Sequence, residues 1–305
     1  MKIITDYNLP LASGCVLSLG NFDGVHVGHA KLLQNAAVIA QEMNVPSVVW
    51  TFGESPLNII SGGYKIKYIT GSSDKMRLLS RYGVDAVYFA DFNMFRDCTP
   101  EYFVNEILVK KFAVKAVVCG YDFHFAKNRC GNADILKNLL SLNNCKTFVL
   151  DPVKKDGLPV SSTLIRSNIL NGKINAASEL LGRRYSFTLP VVEGRHIGTK
   201  IGFPTVNQRF PDYQLVPSFG VYSCLCKIDN VFYSGVSNIG VKPTVTDDNI
   251  ILCETHILSF SENMYNKSIQ VLLFEKIRDE IKFSSLAELK AAVAHDVKTA
   301  EEYFG

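Results

Sequence analysis

Two histidines lie close together in a glycine-rich segment near the start of the chain, GNFDGVHVGH, residues 20–29. His26 and His29 are three residues apart, so at the start of a helix their side chains lie on one side of one turn. Free backbone N–H groups, the positive end of a helix dipole and glycines that admit a phosphate together form an anion site. Two imidazoles beside one phosphate suit transfer of an adenylyl group, because negative charge builds on the α-phosphate as pyrophosphate leaves.

This segment stands between a predicted strand and a predicted helix. The apolar run at residues 15–19 is typical of a buried strand, and residues 30–43 carry apolar side chains at helical spacing. Further strands are predicted at residues 45–52, 85–90, 115–120 and 146–150, and further helices at residues 72–82, 100–112 and 132–142. This alternation predicts a doubly wound parallel α/β sheet over residues 1–182. Ligands of such sheets bind at the carboxyl ends of the strands, where the histidine segment lies.

The second part of the chain has a different pattern. Short β-rich runs predict strands at residues 187–192, 220–228, 231–237, 251–258 and 269–277. Asp229-Asn230 separates two of them as a tight hairpin does, and a final helix is predicted at residues 285–303. Residues 183–305 are therefore predicted to form a smaller antiparallel β-barrel with a C-terminal helix. Gly182 is the expected C-cap at the boundary between the two domains.

Composition narrows the class of protein. The chain has 305 residues, of which 47% are hydrophobic and 20% charged, and its formal net charge is +3. Because the basic residues are spread along the chain, we expect small-molecule substrates rather than nucleic acid or a membrane, and a monomer or weak homo-oligomer. Residues 1–10 lack the apolar run of a signal peptide. The eight cysteines include no C-x-x-C pair, which favours free thiols in a reducing cytoplasm.

A second anion-binding segment is VSSTLIR, residues 160–166. Serine and threonine are typical of a helix start, and Arg166 follows one turn later. Ser162 and Thr163 are candidate donors to a phosphate, and Arg166 is a candidate charge clamp on ATP. Taken alone, the segment favours a plain capped helix with a surface arginine; together with the histidine segment, we prefer the phosphate-binding interpretation.

The strongest signal in the second half is GRHIGTKIGFPTVN, residues 194–207. Gly194, Gly198 and Gly202 recur at four-residue spacing, and such a loop lets backbone amides cradle phosphates. Thr205 and Asn207 are two residues apart, so in an extended chain both side chains lie on one side. Their hydroxyl and amide oxygens suit Mg²⁺, which takes few protein ligands and keeps phosphate and water as the others.

These segments resemble two known families. GNFDGVHVGH is similar to the segment that defines the HxGH nucleotidyltransferases, and its FDGVH form resembles the first domain of bacterial bifunctional riboflavin kinase/FAD synthetases. VSSTLIR resembles the same family, and GFPTVN resembles its riboflavin kinase domain. The resemblance implies that the second domain phosphorylates riboflavin to FMN with ATP and Mg²⁺. It implies that the first domain joins AMP from ATP to FMN, giving FAD and pyrophosphate.

The resemblance also implies roles for individual residues. Glu254, in CETHIL at residues 253–258, matches the glutamate that takes the proton from the ribityl 5′-hydroxyl of riboflavin. GYDFHFAKNRCG, residues 120–131, resembles a loop that contacts the flavin nucleotide. The cofactor-binding residues implied in this way are Gly20, Phe22, Asp23, Gly24, Gly28, Asp122, Phe123, Arg129, Pro204, Tyr222 and Arg278. Asp296, on the last predicted helix, is expected to be structural.

Two segments depart from the family pattern. Ala126 stands where the family has glycine, which predicts a different local backbone, and Glu54-Ser55 replaces a proline-histidine pair. Three alternatives therefore stand beside the bifunctional enzyme. The second domain could bind flavin without phosphorylating it, the first could have weakened adenylylation, or the whole chain could carry flavin without catalysis. The presence of His26, His29 and Arg166 argues against the second alternative.

Overall fold

The computed structural model describes residues 1–4, 14–194, 197–242 and 250–305. Arg195 and His196 of the glycine-rich segment lie outside the described residues, as do residues 5–13 of the N-terminal stretch. The chain divides into two compact units, one formed by Met1–Lys67 and Ser72–Ser161 and the other by Tyr68–Gly71 and Ser162–Gly305. The predicted boundary after residue 182 stays a prediction, since packing groups the two helices before it with the second unit.

A parallel sheet forms the centre of the first unit. The described strands of the first unit are β1 (Lys2–Ile4), β2 (Cys15–Leu19), β3 (Ser47–Phe52), β4 (Ala86–Ala90), β5 (Val114–Gly120), β6 (His124–Phe125), β7 (Gly131–Asn132), β8 (Lys146–Leu150), β9 (Lys154–Lys155) and β10 (Leu158–Pro159). Of these, β6 pairs with β7 and β9 pairs with β10 outside the main sheet. The main sheet has the order β1-β4-β3-β2-β5-β8, and its neighbouring strands are parallel. The chain passes from one side of β2 to the other after β4, so β2 lies at the point where such sheets bind ligands.

Helices cover both faces of this sheet. They are α1 (Val27–Glu42), α2 (Pro56–Ser61), α3 (Ser72–Leu79), α4 (Phe92–Phe95), α5 (Pro100–Tyr102), a π-helix (Phe103–Lys111) and α6 (Ala133–Ser141). All five residues of β2 are buried, as expected for a strand covered on both sides. Leu33 of α1 packs in the core on one face, and Ile107 of the π-helix packs in the core on the other. The doubly wound fold predicted from the sequence is therefore confirmed.

The second unit is a closed barrel with helices. It contains α7 (Ser162–Leu170), α8 (Ile174–Leu181), β11 (Ser186–Val192), α9 (Ile197–Ile201), β12 (Val206–Arg209), β13 (Gly220–Ile228), β14 (Val231–Lys242), β15 (Ile250–Ile257), β16 (Ser268–Arg278) and α10 (Leu286–Phe304). The barrel has the order β11-β12-β15-β14-β13-β16, with antiparallel neighbours. The predicted barrel and terminal helix are confirmed, and Gly182 caps α8 with a positive φ of 67°.

Thiols form part of the barrel interior. Cys224, Cys226 and Cys253 are buried, and the Ser237 hydroxyl donates to the Cys224 Sγ at 3.1 Å. Burial raises the pKa of the Cys253 thiol to about 12. All eight cysteines of the chain are free, and of these Cys130 alone is exposed. The buried thiols therefore act as small core side chains with little thiolate character.

The loop around Ala126 has an unusual backbone. Ala126 adopts φ +63° and ψ −178°, a region that is essentially restricted to glycine. The alanine thus takes a conformation that favours glycine, and the predicted difference from the family's backbone stays a prediction. Asn128 and Arg129 follow with φ values of +53° and +59°. Strain of about 1–3 kcal/mol at one such residue is typical.

Replacing Ala126 by glycine tests this strain. We expect Ala126→Gly to raise the free energy of unfolding by about 1 kcal/mol, because relief of the strained φ exceeds the entropy that glycine adds to the unfolded chain. Urea denaturation measures the change. Gln34→Gly, at an exposed position inside α1, is the control and lowers stability by about 1 kcal/mol. Equal losses in the two variants would contradict a strained Ala126.

Candidate active sites

The two histidines lie at the very start of α1, which begins three residues earlier than the sequence indicates. His26 is the N-cap residue, and its Nδ1 accepts a hydrogen bond from the backbone N–H of His29 at 3.3 Å. The two imidazole rings are stacked, with centroids 3.6 Å apart and planes inclined by 16°. A Cβ on Gly28 would lie 3.2 Å from the His26 ring, so the glycine lets this ring lie against the backbone.

The turn before the histidines has strained backbone conformations. Phe22 and Val25 have φ values of +50° and +40°, and both side chains are fully buried. Gly24 between them has φ +81°, which glycine adopts without strain. A Cβ on Gly20 would lie 3.2 Å from the Phe22 ring. Non-glycine residues keep such conformations only when their surroundings hold them, so the turn is fixed by its packing and hydrogen bonds.

Two side chains that were not predicted as site residues hold this turn. The Lys75 Nζ on α3 donates to the Asn21 carbonyl at 2.6 Å and to the Thr51 Oγ1 at 3.0 Å. The Thr51 hydroxyl itself donates to the same carbonyl at 3.1 Å. Burial lowers the pKa of Lys75 to about 8, and the nearby Asp23 carboxylate opposes that effect. A lysine near the start of a predicted helix is ordinarily a solvated residue, so nothing local in the sequence marks this role.

The predicted flavin loop follows β5. Asp122 is exposed. Its backbone carbonyl accepts a hydrogen bond from the His124 Nδ1 at 2.8 Å. Phe123 is half-buried and stacks on Phe125 with ring centroids 5.7 Å apart. Arg129 is exposed. These side chains could contact a ligand from the surface, since Asp122 and Arg129 both face solvent.

A cavity of about 610 Å³ lies at the carboxyl ends of β3 and β4. Gly53 and Glu54 line it after β3, and Phe89, Asp91 and Phe92 line it around the end of β4. Glu54 is one of the three residues that depart from the family pattern, and it places a carboxylate at this cavity. The lining combines the aromatic rings of Tyr64, Phe89 and Phe92 with the polar side chains of Asn58, Asp91 and Asn93.

The predicted ATP clamp lies on α7. Ser162 and Thr163 are its first two residues, and Arg166 follows one turn later. This helix is grouped with the second compact unit. The helix start that the sequence predicted is therefore confirmed, and the roles of the three side chains stay predictions.

In the second unit, three polar side chains lie side by side on three neighbouring strands of the barrel. Glu254 on β15 is directly opposite Asn207 on β12 and also opposite Asn238 on β14. Directly opposite residues of antiparallel strands share one face of the sheet. The three side chains, with Thr205, line a cavity of about 260 Å³ beside α10. Asn238 was not among the predicted site residues, because only the pairing of β14 with β15 brings it to Glu254.

Asn207 provides a test of whether a metal fits. Its Oδ1 is buried and has no hydrogen-bond partner among the described residues. A buried acceptor without a partner is costly, so it indicates that a ligand completes the site. Oxygen atoms of an amide and a hydroxyl are hard donors of the kind that Mg²⁺ accepts. The described residues contain no group of three or more histidine, cysteine, aspartate or glutamate side chains able to hold a metal.

The glycine-rich segment approaches this cavity closely. A Cβ on Gly194 would overlap the Asn207 amide, and one on Gly198 would overlap the Phe203 carbonyl. Gly202 has φ +90°, which favours glycine. The His256 Nδ1 donates to the Pro204 carbonyl at 2.8 Å, so β15 holds the segment in place. These glycines are predicted to let the backbone approach phosphates closely. At Gly194 and Gly198 a side chain would overlap neighbouring atoms of the protein, which explains why these positions are glycine.

Carboxylates and an arginine complete the cavity. Burial and the Glu254 carboxylate raise the pKa of Glu280, and Lys282 opposes this. Arg278 forms a bidentate pair with Asp296 of α10, with Nη2 2.7 Å from Oδ2 and Nε 2.9 Å from Oδ1. Arg278 lies 5.6 Å from the Phe283 ring centroid. Arg278 lines the cavity, and its guanidinium is held by a carboxylate of the protein. Its contact with a cofactor stays a prediction.

Tyr222 differs from the other predicted cofactor-binding residues. Its side chain is fully buried, and its hydroxyl donates to the Ser218 carbonyl. Burial raises the pKa of this phenol to about 12. The residues lining the cavity include its neighbour Val221 rather than Tyr222. Its hydrogen bond fixes the start of β13, and a direct flavin contact stays a prediction.

The two compact units, each with its own candidate site, fit a two-domain transferase. A family model of FAD synthetase matches residues 9–164, and one of riboflavin kinase matches residues 181–304. The chain belongs to the family of bifunctional riboflavin kinase/FMN adenylyltransferases. It is 36% identical to the protein of that name from Escherichia coli strain K12, covering all of this chain and 98% of the relative. It is 34% identical to the Buchnera aphidicola (Schizaphis graminum) protein of that name, covering all of this chain and 99% of the relative.

A solved structure has the same fold over its whole length. This is the crystal structure of a Streptococcus pneumoniae chain described as a macrolide-efflux protein, with a TM-score of 0.88 and 30% sequence identity. The match covers 98% of each chain. Among the described residues of the present chain, none of the helices has the length and apolar character needed to cross a membrane.

The pair formed by Arg278 and Asp296 provides a stability test. Asp296 is 2% exposed, so Asp296→Ala leaves the Arg278 guanidinium without its partner in a largely buried position. We expect the free energy of unfolding to fall by roughly 3 kcal/mol, measured by urea denaturation. Glu301→Ala, on an exposed position of the same helix, is expected to change it by less than about 0.5 kcal/mol. Equal effects of the two substitutions would show that the ion pair does not hold α10.

Proposed function

We propose that the barrel unit phosphorylates riboflavin and that the parallel-sheet unit adenylylates the FMN product, each at the site described above. The observation that carries the proposal is the alignment of Asn207, Glu254 and Asn238 on three neighbouring strands beside a cavity. This alignment supports one oxygen-rich centre at which a phosphate and an alcohol meet. Phosphoryl transfer depends mainly on positioning and on neutralising phosphate charge, and such a centre can provide both.

Glu254 is proposed as the general base of the kinase step. Its carboxylate takes the proton of the ribityl 5′-hydroxyl as that oxygen forms a bond to the γ-phosphorus of ATP and the bond to ADP breaks. Gly194, Gly198 and Gly202 admit the ATP phosphates to the backbone. The raised pKa of Glu280 supports a shared negative field around Glu254.

Thr205 and Asn207 are proposed to hold Mg²⁺. The partnerless Asn207 Oδ1 supports this assignment, and the Thr205 hydroxyl lines the same cavity. When bound, Mg²⁺ supplies charge neutralisation at the transferring phosphate. Asn238 lies on the opposite side of Glu254 from Asn207 and is proposed to orient the glutamate or the substrate hydroxyl.

In the adenylyl step, an oxygen of the FMN phosphate forms a bond to the α-phosphorus of ATP and pyrophosphate leaves. No side-chain base is needed, because the FMN phosphate is already ionised at neutral pH. His26 and His29 are proposed to stabilise charge on the α-phosphate, which their place at the start of α1 supports. Ser162, Thr163 and Arg166 are proposed to bind other phosphates of ATP. The cavity near Glu54, whose lining includes the Phe89 and Phe92 rings, is proposed to take the flavin ring.

Two further assignments belong to the proposal. The eight free cysteines support a reducing compartment, which we take to be the cytoplasm. The substrates are small molecules (riboflavin, FMN and ATP), and we propose a monomer or weak homo-oligomer.

Incubating the full chain with riboflavin, ATP and Mg²⁺ and separating the flavins over time tests both activities together. FMN should appear first and FAD after it, whereas FMN alone would favour weakened adenylylation.

Replacing His29 tests the first site. We expect His29→Ala to lower the rate of FAD formation from FMN and ATP by on the order of 100-fold or more, because a donor to the developing charge is lost. Chromatographic separation of FMN and FAD measures the rate. Riboflavin phosphorylation by the same preparation is the control and should be unchanged. A normal rate of FAD formation would remove His29 from the mechanism.

Replacing Glu254 tests the second site in the opposite sense. Glu254→Gln keeps the side-chain shape and removes the base, so FMN formation from riboflavin should fall by roughly 100-fold or more. FAD formation from supplied FMN should continue at the wild-type rate, which shows that the chain is folded. If FMN output is unaltered, the proton leaves by another route.

A further inference from the structure

The turn that carries the two histidines is held from one side by a lysine. Lys75 reaches from α3 to the Asn21 carbonyl, and Thr51 on β3 donates to the same oxygen. Asn21 immediately precedes Phe22, the first of the two strained residues of the turn. Two donors on one carbonyl therefore act at the point where the chain leaves β2 and enters the strained turn.

The environment of Lys75 is unusual for a lysine of an enzyme surface. Lys75 is half-buried, and its ammonium lies against the Asn21 carbonyl, the Thr51 hydroxyl and the Phe89 ring, whose centroid is 5.9 Å away. Removing a charged amine from water costs free energy unless hydrogen bonds and charges compensate. The charged group that faces it from the turn is the Asp23 carboxylate. On its own helix the neighbouring charges Asp74 and Arg77 pair with each other at 2.9 Å.

We propose that Lys75 is a positioning residue of the adenylyl-transfer site, whose positive charge holds the Asn21 carbonyl and so fixes the strained turn that presents His26 and His29. This inference rests on the proposed function of the first unit. A hydrogen bond from a charged donor is about twice as strong as one from a neutral donor. The neutral amine would therefore hold the turn less firmly than the ammonium, and substrate phosphates would lose a nearby positive charge.

A pH dependence follows from the sign of the shift. With its pKa lowered to about 8, Lys75 carries its charge below that pH in the free enzyme and loses it above. The value of kcat/KM for ATP reports groups of the free enzyme, so it should decline above about pH 8. Arginine stays charged throughout this range, so Lys75→Arg should abolish the decline while keeping the donor.

The test uses the full chain and three variants, Lys75→Met, Lys75→Arg and Lys31→Met. Lys31 is exposed on α1, so its replacement removes one positive charge from the same unit without touching the turn. FAD formation from FMN and ATP is measured between pH 6.5 and about 9.5, and riboflavin phosphorylation serves as the folding control. Lys75→Met should lose on the order of 100-fold in FAD formation, and Lys75→Arg should recover most of it. Lys31→Met should behave as wild type.

Hydrogen exchange of the amides of residues 20–29 gives a readout that does not need activity. It should rise in Lys75→Met and return to the wild-type level in Lys75→Arg. If the wild-type chain forms no FAD but exchange responds as expected, the proposed function fails and the positioning role stands. The proposal is overturned if exchange is the same in wild type and Lys75→Met. It is also overturned if an active wild type and Lys75→Arg show the same decline above pH 8.

Discussion

The first unit depends on the hydrogen bond between His26 and the backbone of His29. By capping α1 with an imidazole, the chain begins its helix within the histidine pair rather than after it. The cap accounts for one N–H of the first turn and brings the two rings into a stack. The amides of that first turn lie at the positive end of the helix dipole, which favours an anion. A Cβ on Gly28 would lie 3.2 Å from the His26 ring, so glycine at this position gives the capping ring its room.

The second unit depends on strand register in the same way. Because side chains alternate along a strand, Glu254 and its cross-strand neighbours face the cavity while Cys253 and Thr255 face the barrel interior. A slip of one residue between β12 and β15 would exchange the two sets. The hydrogen bond between His256 and the Pro204 carbonyl connects the glycine-rich segment to this strand. The barrel therefore keeps its chemistry and its packing on opposite faces of one strand.

The parts of the fold with strong local patterns could be predicted from the sequence. The buried strand at residues 15–19 and the hairpin at Asp229 and Asn230 have signals within a few residues. No strand is predicted at Val206–Arg209, which follows the glycine-rich loop, because four residues provide little periodicity. The pair of positive φ values at Phe22 and Val25 has no sequence signal, because neither residue favours that conformation.

The candidate sites show the same limit. His26, His29, Thr205 and Asn207 are close in sequence to their partners, so spacing revealed them. Lys75 reaches a carbonyl 54 residues away and Asn238 meets Glu254 only through strand pairing, so their place in the sites depends on the folded chain. Glu280 likewise depends on Glu254 for its raised pKa. Side chains that support a site from another element are thus the ones that single-sequence reasoning misses.

The distribution of thiols has a practical consequence for observing this protein. Seven of the eight cysteines are buried or half-buried, and Cys130 alone is exposed. Burial raises the pKa of the Cys98 and Cys145 thiols, which slows their reaction with alkylating reagents. Cys130 is adjacent to Arg129 in the loop after β5. The wild-type chain therefore has its own single exposed attachment point for a fluorophore, within the loop expected to meet the flavin.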